Sequence, residues 1–251
     1  MPLFARLRRS AALAAVAALS IAAAPAPDSR GGKVTNTSRS VTFAGSSWAV
    51  KASAGLVGPG PNVFSDSPEN VWVDSAGRLH LRITYRDGRW LAAEVILAHS
   101  LGYGTYRFDV ESSTGQLDPN VVLGMFTWSD RAAYNHREID VELARWGDAA
   151  SATNAQYVVQ PYDRPGNIVR FQQPAEGATS HQFAWTNKAV SFLSSTATGA
   201  TIASWKYTGR DVPKAGDERA RINLWLHGGA PPTDGNEVEV VLSRFTFTSA
   251  R

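Results

Sequence analysis

The chain has 251 residues, 43% of them hydrophobic and only 19% charged, which suits one globular domain with a sizeable core and excludes a largely disordered chain. It has no cysteine, which excludes disulfides, a thiol nucleophile and zinc–thiolate sites. Basic residues number 25 against 22 acidic, but Arg6, Arg8 and Arg9 fall in an N-terminal leader without acids. The rest of the chain is therefore about neutral, and its charge gives no reason to expect nucleic acid or an anionic membrane as a partner.

In chain order, the three arginines precede an apolar, alanine-rich run at 11–24 and then Pro25-Ala26-Pro27. This is the layout of a cleavable signal peptide over 1–24, with export to the periplasm or the medium. The run is too short to span a bilayer comfortably. Arg8-Arg9 also permits twin-arginine export, and the two routes are not separated here. Residues 25–40, rich in Gly, Ser, Thr and Asn, read as a flexible mature N-terminus, with a glycosylation sequon at Asn36-Thr37-Ser38. A single domain is expected over 41–251, its ordered part opening at Trp48.

Gly58-Pro59-Gly60-Pro61-Asn62 is a turn-dense loop. Val71-Trp72-Val73, the Ser75-Ala76-Gly77 turn and the alternation of Leu79, Leu81, Ile83 and Tyr85 read as a hairpin. Further strands are predicted at 90–97, 105–111, 121–128, 137–143, 155–160, 168–172, 182–185, 189–193, 202–205, 221–226 and 237–247. Helical periodicity is almost absent, so an all-β sandwich or barrel is expected rather than a βαβ fold.

The strand at 137–143 holds Glu138-Ile139-Asp140-Val141-Glu142. Strand side chains alternate faces, so the three acids share one face and Ile139, Val141 and Leu143 the other. A helix would carry Asp140 away from both glutamates. At about 3.3 Å rise per residue, inward-leaning side chains bring the two glutamate carboxyls to about 5–6 Å. Retaining glycosidase pairs stand about 5–5.5 Å apart and inverting pairs about 6.5–9.5 Å, so the spacing favours a covalent glycosyl-enzyme intermediate. A merely solvated acidic strand face is the plainer alternative. Three like charges on one face repel unless one group holds a proton, which is what acid catalysis requires.

Leu101-Gly102-Tyr103-Gly104-Thr105-Tyr106, Gly124-Met125-Phe126-Thr127-Trp128, the acidic strand and Asn223-Leu224-Trp225 stand in an order that resembles glycoside hydrolase family 16, the retaining β-glucanases that include lichenases and laminarinases. The resemblance spans roughly residue 48 to the C-terminus. It implies a concanavalin A-like jelly-roll β-sandwich of two antiparallel sheets with a carbohydrate cleft on one face. It also implies Glu138 as nucleophile, Asp140 as assisting carboxylate and Glu142 as general acid/base. The ExDxE form, without an inserted residue, looks more like the lichenase branch than the bulged ExDxxE branch.

Sugar rings present apolar faces, so Trp128, Trp146 and Trp225 are candidate platforms. His136 stands where the family commonly carries tryptophan, and strand parity would place it on the cleft face. Asn62 and Glu94 resemble cleft residues of the family, although the arginine that should follow Glu94 two residues on is Ile96. Trp72, Trp185, Trp205 and Tyr103 are assigned to packing. His80, His99, His136, His181 and His227 show no metal-binding spacing, and catalysis of this kind needs no cofactor. Many members hold a structural Ca²⁺, but no acidic loop here identifies a site. The expected partner is a β-glucan-like polysaccharide, cleaved internally by a monomer. A lectin-like binding protein on the same fold and a transglycosylase remain alternatives.

Overall fold

The computed structural model describes residues 39–250. The expected leader, the Asn36 sequon and most of the segment 25–40 lie outside the described residues. Sixteen strands follow one another: β1 (Ser40–Phe43), β2 (Ser46–Val50), β3 (Val63–Phe64), β4 (Val71–Val73), β5 (Leu79–Arg86), β6 (Arg89–Leu97), β7 (Gly104–Val110) and β8 (Val121–Trp128), then β9 (Ile139–Leu143), β10 (Ala155–Val159), β11 (Ile168–Phe171), β12 (Thr179–Trp185), β13 (Val190–Thr196), β14 (Thr201–Tyr207), β15 (Arg219–Leu226) and β16 (Val238–Ser249). The order begins earlier than Trp48. Val41 and Phe43 alternate over only four residues, too few for periodicity to reveal, yet β1 pairs antiparallel with β2 from Ser40↔Ala49 to Phe43↔Ser46.

The strands form two antiparallel layers of a jelly-roll sandwich. One layer runs β2–β6–β15–β8–β9–β10–β11 and the other β4–β5–β16–β7–β12–β13–β14. Strand β6 belongs to both, its first residues pairing with β5 and its last with β15 and β2. The short β3 is the exception, lying parallel to β6. The hairpin read from Val71 to Tyr85 is the β4–β5 pair, with Val71 opposite Leu81.

Alternation decides what each layer buries. From the first layer, Ala93, Val95, Leu123, Met125, Ile139, Val141, Leu143, Ile222 and Leu224 are all fully buried against the second. Each large aliphatic so removed from water contributes about 1.5–3 kcal/mol. Aromatic rings cross the interface: Trp48 meets Phe245 edge-on at 5.1 Å, and Tyr157 stacks on Phe192 at 4.8 Å while its hydroxyl donates to Ser194 Oγ at 2.7 Å. Trp185 is fully buried, with Tyr103 edge-on to it at 5.0 Å. Trp72 stacks on His80 and Trp205 on Phe192, so these four aromatics are packing residues. Among the described residues, no helix is long and apolar enough to cross a membrane.

Candidate active site

Directly opposed residues of antiparallel strands share a face, so the register spells out the outer face of the first layer. One row crosses it from Glu94 on β6 through Asn223, Gly124, Glu142 and Gln156 to Arg170 on β11. Two residues along, a second row passes through Ile96, Arg221, Phe126, Asp140, Val158 and Ile168. Above these rows lies a cleft of about 560 Å³, lined by all three acids and by Lys51, Glu94, Trp128, His136, Gln160, Arg221, Asn223 and Trp225. The buried aliphatics of β9 and its cleft-facing acids thus divide as strand alternation requires.

Burial dominates the charge state of the acids. It raises Asp140 well above the ordinary carboxylate range, and the flanking charges of Glu138 and Glu142 raise it further. The hydrogen bond of Asp140 with Glu138 raises Asp140 as well and lowers Glu138, the sense expected when Asp140 is the donor. Burial and the charge of Glu142 push Glu138 up to about 8, opposed by that donated hydrogen bond. Burial takes Glu142 to about 7, opposed by Gln156, whose Nε2 donates to Glu142 Oε2 at 2.7 Å, and by the charge of Arg170.

The backbone ahead of Glu138 departs from the expected strand. Tyr134, Asn135, His136 and Arg137 all have positive φ, at 53°, 49°, 61° and 54°, so the chain makes a left-handed turn and β9 begins only at Ile139. Such residues cost roughly 1–2 kcal/mol each unless the surroundings hold them. Several bonds do. Thr127 Oγ1 donates to the Arg137 carbonyl at 2.8 Å, the Ser129 amide donates to the His136 carbonyl at 2.7 Å, and the Arg137 guanidinium lies 3.7 Å from the fully buried Glu218. Arg137 needs Gly216 beside it, since a Cβ there would stand 2.6 Å from its Nε.

Strand parity therefore gave His136 the wrong backbone, although the turn still delivers it to the cleft. Its ring lies flat on Trp128 at 4.2 Å and 7°, and Trp128 Nε1 donates to Asp130 Oδ1 at 3.2 Å. Trp225 reaches the cleft but is nearly buried, packed among Phe64, Ala92, Val122 and Ala144. Trp146 is not brought to the cleft. It packs edge-on to Trp225 at 6.0 Å and to His227 at 5.5 Å. Asn62 is not brought there either: its Nδ2 donates to the Leu226 carbonyl at 2.8 Å and its Oδ1 accepts from the Leu226 amide at 3.1 Å. That amide is spent closing the end of β15, as a neighbouring strand would.

Glu94 lines the cleft but is fully buried between Lys51 Nζ at 2.8 Å and Arg221 Nη1 at 3.0 Å. Burial raises its carboxyl, and the two cations more than reverse this, holding it ionised. The arginine missing at Ile96 is supplied from directly across the sheet, at Arg221. Lys51 and Arg221 were not singled out from sequence, and Asn223, Gln156 and Gln160 were given no role there. Parity on β15 would have found two of them, because Arg221 and Asn223 share the face of Trp225. Asn223 is 2% exposed, and its buried Oδ1 has no hydrogen-bond partner. Among the described residues no group of three or more His, Cys, Asp or Glu side chains is placed to hold a metal ion.

No family model matches the chain, and no curated protein matches it. Solved structures do. A β-glucanase of Bacillus licheniformis superposes with a TM-score of 0.62 at 16% identity, covering 86% of this chain and 100% of its own. A β-1,3-glucanase from Mycobacterium marinum gives 0.62 at 16% identity, over 81% of this chain and 92% of its own. The chain has the β-glucanase fold. A third similar structure, an immunostimulatory antigen and pseudo β-1,3-glucanase of Mycobacterium tuberculosis, shares that fold at a TM-score of 0.59 and 18% identity, over 81% and 91% of the two chains. The β-glucanase fold is thus found with proteins described as glucanases and with one described as a pseudo-glucanase, and the side chains in the cleft have to decide the chemistry.

Proposed function

We propose that the protein is an exported glycoside hydrolase that cleaves a β-linked glucan internally, with retention, by double displacement. The observation that carries this reading is the convergence of three acids on one cleft, Asp140 and Glu142 from the outward face of β9 and Glu138 from the residue directly before it. Glu138 attacks the anomeric carbon while the glycosidic C–O bond breaks and Glu142 gives its proton to the departing oxygen. Glu142 then takes a proton from water, whose oxygen attacks the same carbon and releases Glu138.

The first displacement needs the negative charge on Glu138 and the proton on Glu142. Three acids this close titrate as one set. A bound sugar brings a glycosidic oxygen to Glu142, to which only the protonated form can donate, and the Asp140 proton stabilises the charge left on Glu138. The first-formed product should have the β-anomeric configuration, read by proton NMR of a fresh digest before mutarotation. An α product would mean inversion and would remove Glu138 from the nucleophile's role.

A further inference from the structure

The row through Glu142 ends in two residues for which double displacement alone gives no task. Gln156 stands directly opposite Glu142 and Arg170 directly opposite Gln156, on β10 and β11. Gln156 is 5% exposed and does not line the cleft, while Glu142 does. Arg170 is exposed on the edge strand, and its Nε lies 3.2 Å from Gln156 Oε1.

An arginine has donors only, so the Gln156 atom it faces must be the amide oxygen. That fixes the other end of the amide. The NH2 group is turned to Glu142, where it donates to Oε2 at 2.7 Å. An oxygen receiving that bond cannot also present a proton along it. Among the described residues nothing bonds Glu142 Oε1. We propose that Gln156, oriented by Arg170, is a positioning residue that reserves Glu142 Oε2 as an acceptor and so places the transferable proton on Oε1, the oxygen left to the cleft. This rests on the acid/base role given to Glu142 above.

The same bond has a second effect. A donor to the carboxylate favours the ionised form, which suits the base that Glu142 must become in the second step. The other groups facing Glu142 do not substitute for it. Asp140 on its own strand and Glu138 just before it are acids, while β8 offers Gly124 and β15 the uncharged Asn223.

The test is a carboxyl carbon-13 NMR titration of Glu142 beside the pH profile of kcat/KM, in wild type, Gln156→Leu, Arg170→Leu and Arg170→Lys. The NMR arm is run in a Glu138→Gln background, where it needs no turnover. Loss of Gln156 should move the Glu142 titration and the basic limb of the profile upward by about one pH unit. Arg170→Leu, at an exposed site on the edge strand, should move both in the same direction by less, and Arg170→Lys should restore them because a donor remains. An unmoved Glu142 titration, or activity lowered equally at every pH, would overturn the proposal. A wild type that cleaves no glucan would instead overturn the function proposed above, and the NMR titration would still decide this one.

Discussion

At the scale of single residues, the floor of the cleft depends on one glycine. Gly124 sits between Asn223 and Glu142 in the transverse row, and a Cβ there would stand 2.5 Å from Asn223 Oδ1. Only a hydrogen at that position leaves room for the Asn223 amide beside the Glu142 carboxyl. Gly124→Ala should therefore displace Asn223 and destabilise the fold by about 1–3 kcal/mol, in the range of overpacked sites, as measured by urea unfolding. Unchanged stability with Asn223 in place would show that β8 and β15 have slack that their register does not suggest. The acids at 138, 140 and 142 were legible because a period of two is the strongest local signal a strand gives. Lys51 and Arg221 were not, because pairing with the buried Glu94 is a relation across strands far apart in sequence.

At the scale of elements, the acidic strand is prepared by the turn before it. Four left-handed residues end at Arg137, and Glu138 follows directly. The Arg137 side chain is 12% exposed and reaches Asp217 at 3.6 Å and Glu218 at 3.7 Å. Glu218 is itself wholly buried, accepting from the Gly216 amide at 2.6 Å and from Ser100 Oγ at 3.2 Å. Arg137→Leu would leave that carboxylate buried without its cation and free the turn to relax. The expected cost is about 3–5 kcal/mol in urea unfolding, as for other broken buried pairs, and no change in midpoint would show that Arg137 does not anchor the turn. The sequence reading extended the strand through 137 because Tyr, His and Arg at positive φ carry no local signature. What imposes the conformation is the loop around 216–218, some eighty residues away.

At the scale of the molecule, two layers built on alternation bury one set of aliphatics and leave the opposite face of the first layer for chemistry. That much was readable. Many short alternating segments, turn residues between them and no helical period exclude most other architectures, and the β-glucanase fold is what forms. Strand order was not readable from local pattern, since β15 inserts between β8 and β6 and so brings Arg221 and Asn223 into the rows of Asp140 and Glu142, about eighty residues earlier. Asn62 and Trp146 do not line the cleft: one bonds the Leu226 backbone at the end of β15 and the other packs edge-on to Trp225. If this cleft hydrolyses a glucan through Glu138, reducing sugar should be released from lichenan and laminarin by the wild type and not above background by Glu138→Gln, with circular dichroism confirming that both are folded. Equal release by both, or binding of these glucans by a folded wild type that releases nothing, would contradict it.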